Sequence, residues 1–201
     1  IREQQGMTLR VALGNKPKFG GWDTKQIMIE SPILNQADFE KLCYQNEVKV
    51  NSFEMTFKPA LKDSEKTKKS LVSSINRLCK DVCAFAKRSG GIALLSDLAI
   101  SKDYAPIPMI LAVSAVNQAL IDNGLRMHVS LVLETGQVSS SHHVACALGF
   151  GASAIYPFSV EIRSKEKFAS DSDAAFSRFT KATEKALLKT MGKVGLCTVE
   201  S

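Results

Sequence analysis

The stretch Val129–Pro157, VSLVLETGQVSSSHHVACALGFGASAIYP, decides the fold class of this chain. Its first five residues are apolar except Ser130, so the run reads as a strand covered on both faces. Glu134, Thr135 and Gly136 end that strand in a turn, and Ser139–Ser141 precede a short helical segment. Gly149 and Gly151 flank Phe150 where a helix would close, and Ala154–Tyr156 starts a second apolar strand. Two buried strands joined through a helix form a parallel unit with a right-handed crossover. The loops leaving both strands then share one face, the carboxyl ends of the strands, where βα folds place their chemistry.

Working outward, the same alternation recurs. Ile92–Leu95 is a short apolar strand ending at Ser96 and Asp97, and Pro106 and Pro108 suit the first turn of a helix that stops at Gly124. Leu71, Ile75, Leu78, Val82 and Phe85 recur at spacings of three and four, which predicts a helix over Ser64–Arg88 with Gly90 as its stop. Phe53–Phe57 alternates like a strand, and Asn35 suits the cap of a helix through Tyr44. The first 35 residues read as irregular, punctuated by Gly14, Pro17, Gly20, Gly21 and Pro32. Downstream, a long helix over Asp171–Met191 leads into Val194–Val199, a possible last strand. The expectation is an α/β fold, a parallel sheet of about four to five βα units. It is either half of a (βα)8 barrel or an open doubly wound sheet. Residues 1–201 read as one domain, with an irregular lead-in over 1–50 packed on a βα core over 51–201.

Composition narrows the function classes. At 201 residues and 45% hydrophobic the chain can bury a full core. The richest apolar run, Met109–Ile121, is interrupted by Asn117 and Gln118 and is too short for a membrane span. The net charge of +6 is scattered, with Lys62, Lys66, Lys68 and Lys69 interleaved with Asp63 and Glu65. Neither a nucleic-acid nor a membrane partner is expected. Five cysteines without a CxxC pair give no metal-ligand spacing. Their odd number and the lack of a visible signal peptide suggest cytoplasm or another reducing compartment. An N-terminal Ile suggests an internal fragment or a processed product.

The polar residues at strand ends form the candidate site: Ser96, Asp97, Glu134, Gly136, Ser141, His142 and Tyr156. Glu134 could act as a base or ligand acceptor, or it could fix a neighbouring loop or pair with Arg126. Ser139–Ser141 could hold an anion at a helix start or simply cap it. His142 and His143 are adjacent, so on a helix they diverge by roughly 100° and do not ligate one metal together. No nucleophile elbow and no dinucleotide fingerprint are present. Nothing here makes a complete catalytic set, and no metal site is expected.

Several phrases in order, IREQQGMTLRVALG (Ile1–Gly14), SPIL (Ser31–Leu34), LLSDLAISKDYAPIPMILAVSAVNQALI (Leu94–Ile121), GLRMHVSLVLETG (Gly124–Gly136), SHHVACALGFGASAIYPF (Ser141–Phe158) and KALLKTMGKVGLCTVES (Lys185–Ser201), resemble the central domain of the large chain of glutamate synthase. The resemblance implies an enzyme making glutamate from glutamine and 2-oxoglutarate. In that family an amidotransferase domain releases ammonia into a tunnel. An FMN barrel with a 3Fe-4S cluster reduces the imine, and the central domain, itself related to the FMN barrel, joins the two. By the same resemblance Met7 and Thr8 match a Met-Ser pair near the tunnel exit and the flavin site. Asn117, Gln118 and Ala119 replace a triple histidine, and Leu98 replaces an arginine. Ser153, Tyr156, Gly192 and Cys197 replace Asp, Asn, Ser and Ser. The family's catalytic cysteine and cluster cysteines have no counterpart here, so this piece by itself is expected to bind no cofactor and to be non-catalytic. Two other readings stand beside it: a phosphate- or flavin-binding module using the Glu134–Gly136 and Ser139–His142 loops, and a free-standing interaction protein. Faces that would meet missing neighbours imply possible self-association.

Overall fold

A computed structural model describes residues 6–17 and 24–201; Gly20 and Gly21 lie outside them. Strand β3 (Val50–Glu54), β5 (Gly91–Ser96), β7 (Val129–Glu134) and β8 (Ala154–Tyr156) form one parallel sheet, in that order. Spatial order follows chain order and never reverses. A doubly wound sheet would reverse at a switch point, so the sheet is a singly wound half-barrel. The register pairs Glu54 with Ser96, Ser96 with Glu134, and Glu134 with Tyr156, which lines the polar strand ends in one row.

The connecting helices start where side chains can satisfy their free N–H groups. Asn35 caps α1 (Gln36–Tyr44) by accepting from the Asp38 N–H at 2.8 Å, and Asp63 caps α2 (Ser64–Arg88) through the Lys66 N–H. Helix α3 (Met109–Asp122) begins after Pro108 with no capping side chain of its own. Ser140, not Ser141, caps α4 (Ser141–Gly149), accepting from the His143 N–H. Phe150 is its C-cap, and Gly151 takes a φ of +116° immediately after. A Cβ on Gly151 would sit 2.6 Å from the Asn117 side chain, so both geometry and space require glycine there.

Both faces of the sheet are covered from within the chain. On the outer face Ala93, Leu95, Leu131, Leu133 and Ile155 pack with Val82 and Phe85 of α2, Val113 and Val116 of α3, Val144 of α4 and Leu187 of α6 (Ser172–Val194). On the inner face Ile92, Leu94, Val132, Ala154 and Tyr156 meet Val11 and Leu13 of β1 (Val11–Gly14), Phe39 and Leu42 of α1, and Val48. A closed barrel fills that inner side with its other strands. Here a hairpin strand and one helix fill it.

Several local expectations are corrected. The lead-in is not irregular throughout: β1 pairs antiparallel with β2 (Gln26–Ile29), Val11 opposite Ile29. The Phe53–Phe57 run is two strands broken at Met55, whose N–H donates to Ser96 O and whose carbonyl accepts from Ile107 N–H. That diverts β4 (Thr56–Phe57) out of the sheet to pair with β6 (Ala105–Pro106). Helix α5 (Phe158–Phe168), following Pro157, is an additional element; a short 3-10 turn at Ala169–Asp171 then leads into α6. Val194–Val199 is no strand. The last turn of α6 runs to Val194, Gly195 terminates it in the left-handed region, and only Thr198 bridges, in parallel, to Thr8. A second parallel bridge sets Ile33 beside Ile155, with Ile155 N–H donating to Pro32 O and Leu34 N–H to Ile155 O.

Candidate functional site at the carboxyl ends of the strands

The register brings Ser96, Asp97, Glu134, Gly136 and Tyr156 into one neighbourhood. Ser96 Oγ donates to Glu134 Oε2 at 2.6 Å and accepts from the Leu98 N–H. Glu134 therefore fixes the loop after β5. It does not pair with Arg126, whose Nε donates to Asn117 Oδ1 at 2.6 Å and whose terminal nitrogens donate to the carbonyls of Val129 and Gly151. Val129 and Gly151 stand at the amino ends of β7 and β8, away from Glu134. Burial pulls the Arg126 guanidinium below its ordinary value.

Asp97 is 1% exposed and gathers three donors. Oδ2 accepts from Thr135 Oγ1 at 2.7 Å and from Gln137 Nε2 at 2.8 Å, while Oδ1 accepts from the Gly136 N–H at 2.9 Å. A buried carboxylate without a cation is stabilised by such donors. Gln137 extends the group: its Nε2 also reaches Ile107 O, and its Oε1 accepts from the Met109 N–H. That contact replaces the missing cap of α3. Sequence reading singled out Asp97, named Thr135 only as a turn residue and missed Gln137; their contacts with Asp97 span 38 and 40 residues.

Tyr156 lies flat against Phe39, ring centroids 4.5 Å apart and 19° from parallel. Its phenol is pushed up to about 12 by burial first, then by the negative charges of Glu161, Glu134 and Glu40. It stays protonated through neutral pH. Phe158 lies over Gly136, where a Cβ would be 3.0 Å from the ring. The group is thus a packed, satisfied polar layer beneath α1 and α5 that orders three strand-end loops.

Ser141 and His142 share no hydrogen bond with this layer among the described residues. Ser141 is the first residue of α4, and His142 faces solvent beside Cys146. Met7 and Thr8 lie elsewhere again. Met7 packs against α6, its Cε 3.2 Å from the place a Cβ on Gly192 would occupy. Thr8 N–H donates to Cys197 O, and Thr8 O accepts from the Val199 N–H. Val199 in turn lines a cleft of about 800 Å3 with Arg126, Ser153 and Met191 at the amino ends of β7 and β8.

The sequence matches the family described as glutamate synthase central domain over residues 1–201. The chain belongs to that family. It is 32% identical over 223 residues to the chloroplastic ferredoxin-dependent glutamate synthase of Spinacia oleracea, covering 100% of this chain and 13% of that one. It is 32% identical over 219 residues to the ferredoxin-dependent glutamate synthase of Cyanidium caldarium, covering 100% and 14%. It is 31% identical over 188 residues to the glutamate synthase [NADPH] large chain of Bacillus subtilis (strain 168), covering 89% and 12%. The chain thus spans about one-eighth of the length of these curated relatives. Among solved structures, a flavocytochrome b2 variant with benzoylformate is similar, with a TM-score of 0.53 and 14% identity over 83% of this chain and 36% of that one. That likeness shows the fold, a part of the barrel. No helix among the described residues is long and apolar enough to cross a membrane.

Proposed function

We propose that the chain is the joining domain of a multidomain glutamate synthase. It connects the amidotransferase domain to the FMN-bearing synthase domain and helps wall the passage that ammonia takes between them. The observation that carries this reading is the family match along all 201 residues, combined with relatives about eight times as long. FMN and the 3Fe-4S cluster then belong to other parts of the same polypeptide.

The chain's own residues do not fit a flavin at the strand ends. Phe39 on Tyr156 and Phe158 on Gly136 occupy the inner side where a barrel ligand would lie. The cysteines do not fit a cluster either: Cys43, Cys79, Cys83, Cys146 and Cys197 do not gather, and no three His, Cys, Asp or Glu groups converge among the described residues. Burial, as the largest cause, pushes the Cys43, Cys79 and Cys83 thiols up, which suits packing rather than ligation. What the domain supplies is therefore shape. Thr8 is hydrogen-bonded between Cys197 and Val199, so chain arriving at residue 8 and chain leaving at residue 199 run side by side. This supports flanking domains that meet each other across the same end of the half-barrel, with Met7 and Thr8 at their junction.

The test uses the intact enzyme. Met7→Asp and Thr8→Val are measured for glutamine hydrolysis, for glutamate made from glutamine, and for glutamate made from added ammonium. A wall role predicts that glutamine-driven synthesis falls below glutamine hydrolysis while ammonium-driven synthesis persists. Full coupling in both variants would refute the passage. Saturable FMN binding by the isolated 201-residue chain would refute the assignment of flavin to another domain.

A further inference from the structure

On α4, two side chains converge that the strand-end layer does not use. His142 and Cys146 stand four residues apart, on one face of a regular helix. His142 Nε2 lies 3.5 Å from Cys146 Sγ. His142 is exposed and Cys146 half-buried, and Cys146 is free of any disulfide. The neighbouring His143 turns away: its ring centroid is 6.4 Å from that of His142, and its Nδ1 accepts from the Ser139 N–H at the helix start.

We propose that His142 and Cys146 form a surface chelate for a thiophilic divalent cation of the zinc class. A tetrahedral ion with a sulfur at about 2.3 Å and an imidazole nitrogen at about 2.0–2.1 Å holds those two donors roughly 3.6 Å apart. The helix already sets that separation, so the ion enters with little rearrangement of either side chain. On binding, the thiol proton passes to solvent, the thiolate becomes one ligand, and the neutral imidazole gives the Nε2 lone pair as the other. Water completes the shell. A thiolate with an imidazole selects zinc-like ions over magnesium or calcium, which prefer oxygen. With two protein ligands the site is open and exchangeable, unlike the closed four-ligand sites that hold a fold together. The inference does not rest on the enzyme reading above; it concerns the surface of α4 alone.

Because both sheet faces are covered from within the chain, the 201-residue chain is a suitable sample. Cys197→Ser first removes the exposed thiol, and Cys43→Ala and Cys79→Ala remove the two others that are half-buried like Cys146. The chain is then titrated with Cd2+, without added thiol, following the thiolate-to-cadmium ultraviolet band, and zinc is scored by competition. One equivalent should saturate the band. Cys146→Ser should abolish it, His142→Gln should weaken binding about tenfold or more, and His143→Gln should leave it unchanged. An affinity indifferent to His142→Gln means a simple thiol adduct and overturns the chelate. So does a band that survives Cys146→Ser, or a loss on His143→Gln equal to that on His142→Gln.

Discussion

Replacing Phe39 by alanine tests whether α1 is part of the core or merely draped over it. Phe39 is 8% exposed, stacks on Tyr156 at 4.5 Å and belongs to the inner-face cluster with Leu42, Leu94 and Val132. A buried Phe→Ala change costs about 3–5 kcal/mol from lost transfer energy and the cavity left behind. Roughly 0.5–1.5 kcal/mol of that is the stacked pair itself. Nothing else on α1 can slide into the gap, because Leu42 is already 4% exposed and engaged. Against a domain stability of about 5–15 kcal/mol this is roughly a fifth or more. Urea unfolding followed by circular dichroism should show the midpoint fall sharply with the slope unchanged, since the helix unfolds with the sheet. Tyr44→Ala, on the same helix but 81% exposed, should change stability by less than about 0.5 kcal/mol. A Phe39→Ala loss below about 1 kcal/mol would refute the idea that α1 replaces the missing barrel strands.

Two further outcomes are expected. Tyr156 keeps its proton to about pH 12 when folded, whereas in the unfolded chain it loses it near pH 10. The unfolded state then binds fewer protons between those values, so stability should fall as pH rises through them. Tyr156→Phe should flatten that decline in a pH series of urea midpoints, and an unaltered slope would remove Tyr156 as its source. Asp97→Ala leaves the Gly136 N–H, the Thr135 hydroxyl and the Gln137 amide without their acceptor. At about 1–3 kcal/mol for an orphaned buried donor, with Gln137 keeping its bond to Ile107 O, it should cost about 2 kcal/mol or more. Glu134→Gln, which can still accept from Ser96, should cost under about 1 kcal/mol in the same urea-unfolding assay. Equal costs would mean that Asp97 does not organise the layer.

Helix positions other than α5, which has no capping side chain, were legible because their signals are local. Asn35 and Asp63 accept from N–H groups three residues on, and the Leu71–Phe85 spacing needs no partner to be read. Strand order was not legible, since a half-barrel and an open sheet share the same one-dimensional alternation. Val11–Gly14 and Gln26–Ile29 are four residues each and gain their identity only by pairing with one another. At the strand ends the residues were found but their ranking was not. Glu134 stood out as an ionisable group after a buried run, yet Asp97 gathers three donors from the Thr135–Gln137 turn. The adjacency of His142 and His143 drew attention from the i,i+4 partner Cys146, although the segment was already read as a helix.

The Pro32–Leu34 strip beside β8 has a consequence for how this sheet behaves among other chains. A barrel stopped at four strands leaves a raw margin of amides and carbonyls, the template on which foreign strands pair and fibrils grow. Here Ile155 is answered on that side by Pro32 O and Leu34 N–H. The strip offers little beyond itself: Pro32 has no N–H to give, and the Ile33 N–H is turned to Ser31 Oγ at 3.3 Å. At the opposite margin β3 carries the exposed Asn51, Ser52 and Glu54. The β8 margin of the incomplete barrel is thereby covered from within the chain.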